Sequence, residues 1–176
     1  MWHACLHIQC ACAQNLRSVV NGYSDASYNS NKIDSRSQTG YILSFGQHGY
    51  IASNSRKQKC VSASACEAEL MALYELAKLT VSIRRFLIEQ GYPQKCTILY
   101  CDNNATLHVA FNGGGSWKNT RHIEHKYFWV KEAIANGSVE PVWIPTDDNV
   151  ADLFTKHLNA SKFFGFSKYF MHCPDK

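Results

Sequence analysis

The periodicity of the sequence changes near Ser62, where alternating strand-like segments give way to one long helical stripe. Before that point, segments 23–28, 39–46 and 50–55 alternate or are rich in aromatic and β-branched residues, and polar turns separate them. Three strands with short connections predict an antiparallel meander. After it, residues 65–90 contain neither glycine nor proline, and leucines recur at helical spacing until Gly91.

Shorter elements follow the long helix. We predict a buried strand over 96–101, a brief helix over 103–111, a flexible break at 113–116, a helix over 120–136, a strand over 139–144, a closing helix over 147–158 and a short amphipathic helix over 163–170. Pro141 indicates an edge position for the last strand, because proline cannot donate to a strand ladder. The order β-β-β-α-β-α-α-β-α predicts an α/β fold with a mixed sheet flanked by helices. Ligand sites in such sheets gather at the carboxyl ends of parallel strands.

Size and composition exclude several classes of protein. A chain of 176 residues with 45% apolar and 18% charged residues is a globular domain rather than a disordered segment. The net charge of +4 permits a polyanionic partner without requiring one. No stretch approaches the roughly 20 apolar residues of a membrane span, and the first residues lack the charged start and unbroken apolar run of a secretory signal, so we expect no membrane partner.

Eight cysteines occur without any repeated C-x-x-C pair. This spacing favours reduced thiols of an intracellular protein, cytoplasmic or nuclear, over a disulfide framework. A zinc-binding interaction domain stays as an alternative, and it requires the cysteines to converge in space. Residues 1–18 carry no periodicity, and we interpret them as a leader or as the remnant of a preceding polypeptide.

Four carboxylates lie at or near apolar surfaces on four separate elements. They are Asp25 within the first strand, Glu69 one turn into the long helix, Asp102 at the end of the 96–101 strand, and Asp152 in the closing helix. Each also has a structural interpretation: Asp102 as a helix cap, Asp25 as a turn residue, and Glu69 and Asp152 as solvent-facing helix residues. As a set of hard oxygen ligands they favour Mg²⁺ or Mn²⁺ over zinc.

These residues, in this order, resemble the ribonuclease H domain of the Ty1/copia retrotransposon Pol polyprotein. The matching stretches are 22–26 (GYSDA), 37–41 (SQTGY), 55–58 (SRKQ), 64–72 (SACEAELMA), 100–103 (YCDN), 121–127 (RHIEHKY) and 144–156, which begins with IP and ends with NVADLFTK. Seven blocks in the family's order span roughly residues 19–160. We take this span as the domain and 161–176 as a C-terminal helix and tail.

The resemblance implies a ribonuclease H-like fold, with a five-stranded mixed sheet ordered 3-2-1-4-5 and helices on both sides. It implies that Asp25, Glu69, Asp102 and Asp152 are catalytic ligands of two Mg²⁺ or Mn²⁺ ions. Glu69 matches the family's Glu-Leu-Met-Ala pattern, whereas Glu67, three residues after Ser64, is assigned to a capping box. The implied activity is endonucleolytic hydrolysis of the RNA strand of an RNA–DNA hybrid, leaving a 5′-phosphate and a 3′-hydroxyl, during retrotransposon reverse transcription. The reverse transcriptase domain of the same polyprotein is the implied partner.

Many cellular relatives carry a histidine in the loop before the last helix, and the loop at 145–151 has none. Either product release proceeds without it, which we favour, or His122 or His125 substitutes.

Two basic segments are candidates for phosphate contacts. The turn Arg56, Lys57 and Lys59 is the stronger candidate, and the second segment comprises Lys118, Arg121, His122, His125 and Lys126, interleaved with aromatic residues. Polar residues that could reach RNA 2′-hydroxyls are Ser27, Asn54, Ser64 and Asn103. For Lys126 and Tyr127 the alternative is a solvated helix face with a core-facing aromatic.

Two alternatives to an active ribonuclease H remain. In the first, the domain is a catalytically decayed, nucleic-acid-binding remnant of a retrotransposon polyprotein. In the second, it is a nuclease of the integrase and resolvase type, which shares the fold. The Glu-Leu-Met-Ala and Ala-Asp-Leu-Phe-Thr-Lys patterns favour ribonuclease H.

Overall fold

A computed structural model describes residues 20–31, 33–45, 49–113 and 121–168, with the backbone only at 121–123. The predicted leader at 1–18, most of the glycine-rich segment and the end of the C-terminal tail lie outside the described residues.

The sheet has five strands in the order β3-β2-β1-β4-β5. They are β1 (Val20–Ser27), β2 (Gln38–Phe45), β3 (Gly49–Lys57), β4 (Thr97–Cys101) and β5 (Val139–Trp143). The meander β1-β2-β3 is antiparallel, and β4 and β5 run parallel to β1. The predicted mixed sheet, its strand order and the edge position of the strand containing Pro141 are confirmed.

In the described part of the chain, four α-helices accompany the sheet. They are α1 (Ala65–Glu89), α2 (Asn104–Asn112), α3 (Arg121–Ala135) and α4 (Ala160–Ser167). The predicted cap of α1 is present, because Ser64 Oγ accepts from the Glu67 N–H at 3.1 Å. The Glu67 carboxylate in turn accepts from the N–H of Ala63 at 2.6 Å, one residue before the cap. Gly91 and Gly137 follow α1 and α3 with φ of 84° and 70°, which a residue with a side chain rarely adopts.

The main core lies between α1 and the sheet. Leu73 and Leu76 of α1 pack with Leu43, Leu99 and Val20 of the strands, and all five are fully buried. A Cβ at Gly22 would lie 2.9 Å from a methyl carbon of Leu76, so the glycine lets α1 approach β1 closely. The close approach of α1 to the sheet is therefore near the start of β1.

The predicted closing helix over 147–158 is wrong. The chain instead forms two short 3₁₀ helices, Thr146–Asp148 and Val150–Phe154, with i to i+3 bonds such as Asp152 N–H to Asn149 O at 3.1 Å. Asn149 explains the tighter winding, because its fully buried side chain donates to Ser24 O at 3.0 Å and ties the segment to β1. The last helix spans Ala160–Ser167 rather than 163–170.

Candidate metal centre

Four carboxylates meet at the carboxyl ends of the parallel strands β1 and β4. Ligand oxygens of Asp25, Asp102 and Asp152 all lie within 4.8 Å of one another. Glu69 joins Asp102 and the Cys101 thiol in a second group with the same spread, so Asp102 belongs to both groups. The structure thus brings together all four carboxylates that the sequence singled out, from β1, α1, the end of β4 and the second 3₁₀ helix.

The structural interpretations of these carboxylates do not fit their positions. Asp25 and Asp152 are 0% and 1% exposed and Glu69 is 6% exposed, so none of the three faces solvent. Asp102 does not cap the following helix, because Asn103 Oδ1 accepts from the Thr106 N–H at 3.0 Å and takes that role. Burying carboxylates requires compensation by hydrogen bonds or cations.

Crowding of negative charge perturbs this cluster. Burial raises the pKa of Asp25, against a hydrogen bond from Thr155 and the nearby Lys156 ammonium. Burial also raises the pKa of Glu69 well above its usual range, with the charges of Asp25 and Asp102 adding to it. Both shifts have burial as their main cause, and the neighbouring carboxylates add to it because like charges disfavour ionisation.

Two lysines supply part of that charge. Lys156 Nζ lies 3.1 Å from Asp25 Oδ1 and 2.7 Å from Asp152 Oδ1, and therefore bridges the two carboxylates. Lys162, on α4, lies 3.1 Å from the other oxygen of Asp152. Burial alone would lower the pKa of Lys156, but the hydrogen bond to Asp152 and the charge of Asp25 outweigh it and raise that pKa.

The sequence analysis missed both lysines as site residues. Lys156 had a usable signal, since it follows Asp152 by four residues and such pairs share a helix face. Lys162 had none, because its contact with Asp152 depends on the turn between the second 3₁₀ helix and α4.

Glycine and asparagine position the second 3₁₀ helix beside Asp25. Gly40 is the register partner of Asp25, and a Cβ there would lie 2.5 Å from Thr155 Cγ2 and 2.8 Å from Phe154 Cβ. This close approach lets the Thr155 hydroxyl donate to Asp25 Oδ2. Asn149 holds the start of the same segment through its side chain, which also accepts from the Ala151 N–H at 3.1 Å.

The donor set fits a hard divalent cation. Among buried side-chain polar atoms of the described residues, Glu69 Oε2 has no hydrogen-bond partner, and it belongs to the carboxylate cluster. Oxygen ligands from several carboxylates are what Mg²⁺ and Mn²⁺ prefer. Burial raises the pKa of the Cys101 thiol, which disfavours the thiolate form that binds metals.

Zinc chemistry finds no support in the part of the chain that the structure describes. Its four cysteines, Cys60, Cys66, Cys96 and Cys101, are free, and neither candidate metal group holds more than one of them. The other four cysteines lie outside the described residues. Within the same part of the chain, no helix is both long and apolar enough to cross a bilayer.

The three residues of the basic turn before α1 have different surroundings in the structure. Arg56 pairs with Glu75 at 2.9 Å, whereas Lys57 pairs with Asp34 at 2.6 Å, in the loop between β1 and β2. Lys59 is exposed and lines a groove together with Arg56. Of the second basic segment, Lys126 lines that same groove and His125 is exposed, while Tyr127 is buried against Leu70 as the core-facing aromatic. Lys118 and the side chains of Arg121 and His122 lie outside the described residues.

Three of the four candidates for 2′-hydroxyl contacts already have structural hydrogen bonds. Ser64 and Asn103 cap α1 and α2, and Asn54 donates to the Tyr41 hydroxyl at 3.3 Å. Ser27 is half-buried at the end of β1, two residues after Asp25.

Solved structures similar to this chain include ribonucleases H and a viral protease-reverse transcriptase. The RNase H1 of the halophilic archaeon Halobacterium salinarum NRC-1 aligns with a TM-score of 0.55 and 17% identity, covering 78% of this chain and 95% of that one. LC11-RNase H1 in complex with an RNA/DNA hybrid aligns with a TM-score of 0.57 and 12% identity, covering 77% of this chain and 93% of that one. The foamy viral protease-reverse transcriptase in complex with an RNA/DNA hybrid aligns with a TM-score of 0.57 and 14% identity, covering 80% of this chain and 20% of that one. The chain therefore has the ribonuclease H-like fold.

Sequence relatives narrow the class to transposon polyproteins. The chain is 34% identical over 154 residues to the retrovirus-related Pol polyprotein from transposon TNT 1-94 of Nicotiana tabacum, covering 88% of this chain and 11% of that protein. The chain is 30% identical over 149 residues to the retrovirus-related Pol polyprotein from transposon RE1 of Arabidopsis thaliana, covering 84% of this chain and 10% of that protein. The chain spans about a tenth of the length of these relatives, and no family model matches it. It is a ribonuclease H-like domain related to the Pol polyproteins of copia-type transposons, which confirms the resemblance.

Proposed function

We propose that this domain hydrolyses the RNA strand of RNA–DNA hybrids with two bound Mg²⁺ or Mn²⁺ ions. The observation that carries the proposal is the convergence of Asp25, Glu69, Asp102 and Asp152 in a sheet of ribonuclease H-like topology. The hybrid in the solved relative LC11-RNase H1 supports the same substrate class.

Asp25, Glu69, Asp102 and Asp152 would together hold the ions. When bound, a pair of such ions would supply activation of a water as nucleophile and stabilisation of the departing 3′ oxygen of the phosphodiester. The chain itself buries Asp25 and Asp152, and it fixes Asp25 through the Thr155 hydroxyl. We expect a 5′-phosphate and a 3′-hydroxyl as products.

Product release in this proposal needs no histidine. The segment 145–151 contains none, and His125 is exposed on α3. We propose that the domain works with the reverse transcriptase domain of the same polyprotein, within the cytoplasm or nucleus of the host cell. The foamy viral protease-reverse transcriptase, which shares the fold over one part of its chain, supports that arrangement.

One observation favours a second candidate, a decayed domain that binds nucleic acid without cutting it. Lys156 and Lys162 engage both oxygens of Asp152, so an ion must compete with Lys156 for this ligand. Metal-dependent cleavage separates the two candidates.

The test is cleavage of a labelled RNA–DNA hybrid in Mg²⁺ or Mn²⁺, with EDTA and four proteins. Wild type should cut, Asp25→Asn and Asp102→Asn should lose about 100-fold or more in rate because each removes an ion ligand, and Asp148→Asn should match wild type. Asp148 is an exposed carboxylate of the first 3₁₀ helix and controls for loss of one negative charge. Full activity in Asp25→Asn and Asp102→Asn would refute the site. Hybrid binding without cleavage by the folded wild type would favour the decayed domain.

A further inference from the structure

Two basic segments distant in sequence line one groove beside α1. Arg56 and Lys59 come from the end of β3 and the turn after it, Lys78 from α1, and Lys126 from α3. With the Glu75 carboxylate, these side chains give the groove a formal charge of +3, against +4 for the whole chain. Such concentration of charge on one surface is the electrostatic footprint of a polyanion-binding protein.

Tyr74 organises the positive charges. The ammonium groups of Lys78 and Lys126 lie 5.2 and 5.7 Å from the centroid of its ring, which itself packs edge-on against Trp129 at 5.5 Å. Arg56 is held across the groove by Glu75. Because these side chains are already oriented, binding a ligand costs less side-chain entropy.

The lysines of the groove remain short of negative partners. Burial lowers the pKa of Lys126; Cys60 and Glu75 oppose this effect, and the repulsion from the positive charges of Arg56 and Lys78 adds to it to a smaller extent. Glu75 is the one carboxylate among the residues that line the groove, and it already pairs with Arg56. An incoming phosphate would relieve this repulsion.

The groove adjoins the carboxylate cluster through two elements. Thr39, which lines the groove, is the neighbour of Gly40, and Gly40 pairs with Asp25. Gln58, which also lines it, donates at 2.9 Å to the carbonyl of Ala68, the residue before Glu69. The groove therefore shares neighbouring residues with the strand pair and the helix that position Asp25 and Glu69.

The size of the groove fits a backbone segment rather than an enclosed ligand. Its volume is about 220 Å³, below the roughly 300–1,000 Å³ of pockets that enclose small molecules.

We infer that the groove formed by Arg56, Lys59, Lys78 and Lys126 around Tyr74 binds the phosphate backbone of the nucleic acid outside the cleavage site. This inference rests on the proposed function for the identity of the polyanion. It assigns Lys78 and Lys126 to substrate binding and leaves out Lys57, whose ammonium pairs with Asp34.

Binding of a 20-base-pair RNA–DNA hybrid, measured by fluorescence anisotropy in EDTA over a range of salt, tests the groove without cleavage. The variant Lys78→Gln/Lys126→Gln should bind roughly tenfold more weakly, and its slope of log K against log salt should shrink by about 2, because two phosphate contacts are lost. Lys78→Arg/Lys126→Arg keeps both charges and should bind like wild type.

The matched control is Arg85→Gln/Lys95→Gln. It removes two charges from exposed side chains near the far end of α1, roughly 24 Å along the helix axis from Glu69. An equal loss of binding in this control would refute the proposal that the groove binds the phosphate backbone. Wild-type affinity and salt slope in Lys78→Gln/Lys126→Gln would refute it as well.

The outcomes for groove and function are separable. Weakened binding by Lys78→Gln/Lys126→Gln with no cleavage by wild type in Mg²⁺ or Mn²⁺ would retain the groove and refute the nuclease. Cleavage by wild type with unchanged binding by that variant would retain the nuclease and refute the groove as a binding site. Thermal unfolding of each variant verifies that it is folded, and the arginine variant restores the charge if glutamine impairs folding.

Discussion

Lys156 bridges Asp25 and Asp152 with one ammonium group. A divalent cation bound to both carboxylates would have to displace this ammonium group. Both carboxylates are buried, so removing the bridge leaves them short of positive charge unless an ion replaces it. Lys162 keeps its contact with the other oxygen of Asp152 in either case. At the scale of residues, the cluster therefore balances buried carboxylates against the ammonium groups of Lys156 and Lys162.

This balance predicts that Lys156→Met destabilises the metal-free protein more than the metal-bound one. Because the Lys156 side chain is 36% exposed and screened by water, we expect a loss of about 1–2 kcal/mol in EDTA, equivalent to a fall of roughly 2–8 °C in Tm. Saturating Mg²⁺ should reduce the difference, since the ion then neutralises the carboxylates. Thermal melts with and without Mg²⁺ measure it, with Lys95→Met as the control. The same Tm difference in both conditions would contradict the account.

Sequence reasoning identifies the carboxylates but not their counter-ions. Asp25 and Asp102 stand out because a charge in or directly after an apolar strand needs a reason to be there. Lys162 does not, because an exposed helix lysine has the same local sequence whether or not it reaches a buried aspartate.

The second 3₁₀ helix, Val150–Phe154, is the element that brings Asp152 to the sheet. It packs over β2 at Gly40, where a side chain would collide with Thr155 and Phe154. The sequence predicted a helix here but not its tight winding, because the buried bond from Asn149 to Ser24 O is a tertiary contact that overrides local propensity.

We therefore expect Gly40→Ala to displace this element. Its Cβ would lie 3.1 Å or less from Thr155, Phe154 and the carbonyl of Ala151, and such overpacking typically costs about 1–3 kcal/mol. Metal-dependent cleavage should fall with it, since Thr155 and Asp152 move together. Gly165→Ala is the control, because a Cβ there meets nothing within 4 Å and should stabilise α4 slightly. Urea unfolding measures both, and equal stability of the two variants would refute the packing argument.

Gln58 joins the meander to the start of α1. Its buried amide donates to Thr39 Oγ1 at 3.0 Å and Ala68 O at 2.9 Å, and its oxygen accepts from Ser62 at 2.8 Å. Gln58→Leu leaves these partners unpaired and should cost about 1–3 kcal/mol in urea unfolding. Gln38→Leu removes one exposed bond to Ser55 and should change stability by less than about 0.5 kcal/mol. Equal costs would show that the buried amide is not a key connection.

At the scale of the whole molecule, the sheet order brings sequence-distant residues onto one surface. The order of strands and helices was predictable because periodicity, caps and glycine stops agree along most of the chain. That Arg56, Lys78 and Lys126 meet in one groove was not, since it depends on how α1 and α3 pack. The groove is connected to the carboxylate cluster through Thr39 and Gln58, which suits the long polyanionic substrate that we propose.

The most direct test of this account is strand-specific product analysis of a hybrid whose RNA and DNA carry different labels, incubated with the purified chain in Mg²⁺ and, separately, in EDTA. The account predicts RNA fragments with 5′-phosphate and 3′-hydroxyl ends, an intact DNA strand, and no cutting in EDTA. Cleavage of the DNA strand, or RNA cleavage that persists in EDTA, would contradict the proposal that the four carboxylates form the metal centre of a ribonuclease H.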